Sequence, residues 1–149
     1  MVDIKTMDKK ALGDVLCNAS KTFGNGVTIV NATPHPLTFL DTDGRERVVP
    51  TSVPAGEKTG PLVINAKPVE TPVDDLFVRT RFEADPRGLD IIDAIEGAAR
   101  DAGKRVVIIG SMIAVNAFPG RVAGMVPAPG FERVPPAQKK MRCDKFTIA

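Results

Sequence analysis

One stretch constrains the fold of this chain more than any other: between Leu89 and Ile109 the apolar pattern changes its period. Ile91, Ile92, Ile95, Ala98, Ala99 and Ala102 fall on one stripe of a helix spanning Leu89–Ala102. Asp93, Glu96, Arg100 and Asp101 take the opposite face. Gly103 stands where a helix ends in the left-handed conformation. Lys104 to Ile109 then reads KRVVII, a short β-branched run with the character of a buried strand. A helix that stops on glycine and leads at once into such a strand has to cover one face of a sheet.

The flanking sequence supplies the rest of that sheet. Val27 to Ala32, VTIVNA, is a strand bounded by turn residues. Thr33-Pro34-His35-Pro36 follows, and each proline restrains the residue before it. Leu37–Leu40 predicts a second strand, Asp41-Thr42-Asp43-Gly44 a tight turn, and Arg45–Val49 the return, which together read as a β-meander. Pro50, Pro54, Pro61, Pro68 and Pro72 interrupt the next segment, where Leu62–Ala66 and Asp75–Arg81 are expected as strands. Proline at this density suits edge strands and wrapping loops. Ser111 is placed to cap a short helix over Met112–Phe118, stopped by Pro119-Gly120. Residues 122–138 read as extended, and Met141–Ile148 as the last strand. At the start of the chain, Thr6–Leu16 has helical spacing, with Thr6 or Asp8 as its cap. Gly24-Asn25-Gly26 breaks the chain after it. The expected fold is therefore α+β: a mostly antiparallel sheet or small barrel with one packed amphipathic helix. Residues 1–25 form an N-terminal helical appendage, and residues 26–149 a single domain.

Composition excludes several functions. The 149 residues carry 20 Lys and Arg against 18 Asp and Glu, a net charge of +2, which argues against a dedicated nucleic-acid binder. There is no Trp or Tyr, and most of the seven Phe are needed for the core rather than for stacking bases. No apolar run reaches the roughly 20 residues of a membrane helix, and the opening MVDIKTMDKK has no apolar stretch of a secretory signal. No membrane partner is expected. Cys17 and Cys143 read as free thiols in a reducing cytosol. With His35 the only histidine, no zinc set can be assembled, and no metal or cofactor is expected.

Three residues and two carboxylate pairs are candidates for a site. His35 is the chain's one histidine and sits between two prolines, so it is either a proton-active residue or a turn residue hydrogen-bonded to nearby backbone. Ser111 follows a buried strand, but the Gly-x-Ser-x-Gly pattern of a nucleophile elbow lacks its second glycine, and an N-cap accounts for it. The same strand-Gly-Ser-helix junction could hold an anion, with Arg121 as a bidentate clamp; the alternative for Arg121 is a salt bridge or a carbonyl cap. Asp74 with Asp75 and Asp41 with Asp43 are carboxylate pairs. Asp41 to Gly44 lacks the distal Glu of a calcium loop, so a hairpin turn is expected there.

Val30-Asn31-Ala32-Thr33-Pro34-His35-Pro36 resembles the opening of an uncharacterised family of small proteins from tailed phages and bacteria. Ile108-Ile109-Gly110-Ser111, Ala114, Ala117, Arg121 and Pro127 are similar to that family's second block, and Arg142–Phe146 to its closing segment. The N-terminal helix, the middle section and Gly110 depart from the pattern. The resemblance implies a phage or prophage setting, and it would bring Asn31, His35, Ser111 and Arg121 together as one polar, ligand-binding site. Two functions follow as expectations. One is a non-enzymatic binding protein of the host cytoplasm that holds a small anionic, nucleotide-like ligand or a host protein. The other is a structural or assembly protein of the virion, self-assembling through its loops and N-terminal helix. One histidine and two distant cysteines do not make a catalytic set, so no enzyme is expected.

Overall fold

In the computed structural model, which describes residues 4–149, aspartates start the two longer helices. The Asp8 side chain accepts from the Ala11 N–H and opens α1 (Lys9–Asn18), so this helix begins later than its spacing predicts. The chain continues through β1 (Ser20–Thr22), β2 (Val27–Asn31), β3 (Leu37–Leu40), β4 (Glu46–Val49), β5 (Ala66–Pro72) and β6 (Val78–Ala84). Asp85 accepts from the Arg87 N–H and opens α2 (Pro86–Asp101), with Pro86 in the first turn, where its missing N–H costs nothing. Then come β7 (Arg105–Ile109), α3 (Met112–Ala117), β8 (Gly124–Pro127) and β9 (Met141–Thr147). Gly103 has a φ of 64° and turns the end of α2 into β7, as its position predicts.

The fold is α+β, and its sheets do not close into a barrel. The first sheet has the order β1-β2-β7; β1 is antiparallel to β2, and β2 runs parallel to β7, with Asn31 opposite Ile109. The second has the order β4-β3-β9-β8, with β3 parallel to β9 and the other pairs antiparallel. β5 and β6 form a separate two-stranded hairpin.

The first sheet is the middle layer. All five residues of β2 are buried, and their alternation sends them to two cores. Val30 with Ile108 packs against Ile91, Ile92 and Ile95 of α2. Val27, Ile29 and Ile109 pack against Phe39, Val49 and Cys143 of the second sheet. Phe23 meets Phe39 edge to face, with ring centroids 5.7 Å apart. Each fully buried isoleucine contributes on the order of 2 kcal/mol. The segment before residue 26 adds Ile4 and Ala19 to the first core, Phe23 to the second, and β1 to the first sheet.

Three expectations are corrected. Val27–Val49 is not a meander: β2 leaves the first sheet after Asn31, and only β3 and β4 form a hairpin. Burial of β2 on both faces requires layers above and below it, which a flat meander lacks. Leu62–Ala66 is not a strand. The turn that closes with the Val63 N–H on Gly60 O folds Leu62, Val63 and Ile64 into a core plug, and β5 starts only at Ala66. The strand expected at Asp75 begins at Val78, because the Asp74 carboxylate accepts from the Leu76 and Phe77 N–H groups and holds a turn there.

Candidate functional site

Asn31 ends β2 and is fully buried, so its amide must find partners inside the protein. Its Nδ2 donates to the carbonyls of His35 (2.7 Å) and Val49 (3.3 Å). Its Oδ1 accepts from the N–H and the hydroxyl of Thr33. Asn31 thus closes the Thr33–Pro36 turn and ties it to β4. The hydrogen bonds of His35 here are made by its backbone, while the residue itself is exposed.

Ser111 caps α3 by accepting from the Ala114 N–H at 3.2 Å. Gly110 is required just before it. A Cβ there would stand 2.6 Å from Val122 Cγ1 and 3.2 Å from Ala114 Cβ. Arg121 points to α2. Its Nη2 lies 2.8 Å from Asp93 Oδ1 and 3.0 Å from Glu96 Oε2. The hydrogen bond to Glu96, then that to Asp93, pushes its already high pKa further up. The polar contacts of Asn31 and His35 therefore stay within their own turn and β4, those of Ser111 within α3, and those of Arg121 on α2.

The carboxylate pairs brace turns. Asp41 accepts from the Gly24 and Thr42 N–H groups through Oδ1 and meets Arg47 Nε at 2.6 Å through Oδ2. The Gly24 N–H, with those of Thr42 and Arg47, holds its pKa down at about 2 against the opposing effect of burial. Gly44, at φ 80°, completes the β3–β4 turn. Among the described residues, no three His, Cys, Asp or Glu side chains converge to hold a metal ion, and no helix is long and apolar enough to cross a membrane. Cys17 and Cys143 are both free thiols, the first exposed and the second buried.

Two features were missed by reading the sequence. The first is the β5–β6 arm. Ala66 and Phe82 anchor its base on the first core, and α3 packs beside it. From Thr71 to Thr80 every residue is exposed, and the tip carries Val73 (58%), Leu76 (85%), Phe77 (64%) and Val78 (50%) in water. Large apolar side chains are seldom left grouped in water on a folded protein. The available signal was Asp74-Asp75 followed directly by Leu76-Phe77, with Pro68 and Pro72 upstream: a large apolar pair in a turn, on a hairpin that proline keeps out of a wider sheet. The second is a cavity of about 210 Å³ between α1, α2 and the first sheet, with Gly13, Cys17, Ile95, Ala98 and Ala99 in its wall.

Comparison of the chain with protein-family models, with curated proteins and with solved structures returns no match.

Proposed function

We propose that the chain is a non-enzymatic assembly protein that joins protein subunits through its projecting β5–β6 arm. The observation that carries this reading is the tip of the arm, where Val73, Leu76, Phe77 and Val78 stand exposed together on a hairpin whose own turn is closed by Asp74. A hairpin held this way keeps its shape without a partner, so little ordering entropy is lost on binding. The virion of a tailed phage is the setting implied by the resemblance of the Asn31–Pro36 and Ile108–Arg121 stretches, with synthesis in the host cytoplasm preceding assembly.

The small-anion reading has weaker support. An anion at Arg121 would have to displace two carboxylates from the guanidinium. Asn31 spends its amide on the backbone of its own turn and of β4.

Sedimentation velocity over a range of concentrations tests the assembly reading. The wild-type chain is expected to gain mass as concentration rises. The double variant Leu76→Ser/Phe77→Ser is expected to stay monomeric, with an unchanged far-UV spectrum and unfolding midpoint, because both side chains are already in water. A wild-type chain that stays monomeric throughout would rule the reading out.

A further inference from the structure

We propose that the arm of one copy docks in the cavity between α1 and α2 of a second copy. This rests on the assembly reading above and names the surface that receives the arm. The cavity wall is apolar: Gly13 and Cys17 come from α1, and Ile95, Ala98 and Ala99 from α2. It exists because α1 packs loosely. None of its residues is fully buried, and Leu12, Val15 and Leu16 only partly cover the first core. Small residues on both helices leave room where a tighter pair would interdigitate.

Size and charge both select the occupant. An apolar cavity of about 150 Å³ is large enough to take benzene. The cavity here is about 210 Å³, so it accommodates the ring of Phe77 with space for part of Leu76. The exposed run Thr71–Thr80 holds Asp74 and Asp75 directly before Leu76-Phe77 at the tip, with Arg79 beyond Val78. Among the described residues Lys104 is the one charged residue in the cavity lining, and Lys9 stands on the adjoining groove between the helices. That groove also carries Asp93 and Asp101; Asp93 is paired with Arg121. An apolar tip flanked by anions therefore meets an apolar hollow with a cation at its mouth. In its own chain Phe77 is 64% exposed, so the arm does not fill its own cavity. The contact uses different surfaces on the two copies, and repetition gives a ring or an open chain of subunits.

A complementation experiment tests the docking. Phe77→Asp removes the arm contact and leaves the cavity intact. Ala98→Trp fills the cavity and leaves the arm intact. Each variant alone is expected to be monomeric where the wild type associates, and an equimolar mixture is expected to form a capped heterodimer. Cys17 gives a second readout that needs no folding-sensitive substitution. It lines the cavity and is exposed, whereas Cys143 is buried. Its reaction with a thiol reagent should slow several-fold on association, and prior modification with a bulky maleimide should block association. If Ala98→Trp and the Cys17-modified protein associate as the wild type does, the cavity is not the receptor, although the arm still assembles the protein. A mixture that stays monomeric while the wild type associates also overturns the docking. If the wild type never associates, the assembly reading falls with it.

Discussion

Asp41 shows what a single charge does in this protein. Its carboxylate is almost out of water and is satisfied by two backbone N–H groups and an arginine. Its folded pKa of about 2 lies below its ordinary value of 3.8. A carboxylate depressed in this way stabilises the fold fully above its unfolded pKa, and the contribution is lost as pH falls from about 4 towards 2. That contribution is on the order of 2 kcal/mol at neutral pH. Urea unfolding from pH 7 down to pH 2 should show the loss. Asp41→Asn should be less stable at neutral pH and should flatten the acid limb; a variant with the wild-type slope would place the acid sensitivity elsewhere. Asn31 makes a related point. In the sequence it stood out only as part of the ligand site that the resemblance implies. Whether it would face a ligand or its own turn depended on burial, and the structure buries it completely.

The elements differ in how much of each was written locally. The end of α2, Gly103 and β7 were legible to within a residue, because period, cap and strand composition agree there, whereas the first turn from Pro86 and its Asp85 cap were not, since the apolar stripe begins only at Leu89. The Ser111 cap of α3 was legible too. The six-residue α3 is fixed by contact, and Gly110 is part of that fit. Gly110→Ala should cost about 1–3 kcal/mol, the scale of overpacking a filled core, because Val122 is fully buried and has nowhere to move. A lowered denaturation midpoint would show it; an unchanged one would mean that α3 shifts freely on β8. The ion pair of Arg121 with Asp93 and Glu96 joins the turn after α3 to α2. It is partly exposed and contributes less than about 1 kcal/mol. The arm was the least legible element. Only its second strand was expected, from Asp75 rather than Val78, and β5 was not; alternation also says which residues share a face, not whether anything covers that face.

At the scale of the whole molecule, the shared first sheet makes two cores into one folding unit. Val30 and Ile108 serve one core while Ile29 and Ile109 serve the other, so neither can be lost alone. Ile95→Ala in the first core and Phe39→Leu in the second should each lower the temperature of the same single calorimetric transition. Two separated transitions in either variant would show that the cores unfold independently. The sequence by itself determined the α+β class, the main helix, most strand positions and the restrained Thr33–Pro36 turn, because these depend on period, caps and proline geometry within a few residues. Only the tertiary structure decided that β2 sits between two layers rather than in a meander, that Leu62–Ile64 is a core plug, and that Arg121 is already paired. It also decided that the Leu76–Phe77 tip stands in water while a cavity lies beside α1. These outcomes depend on which distant surfaces meet, and local pattern is blind to partners that are far away along the chain.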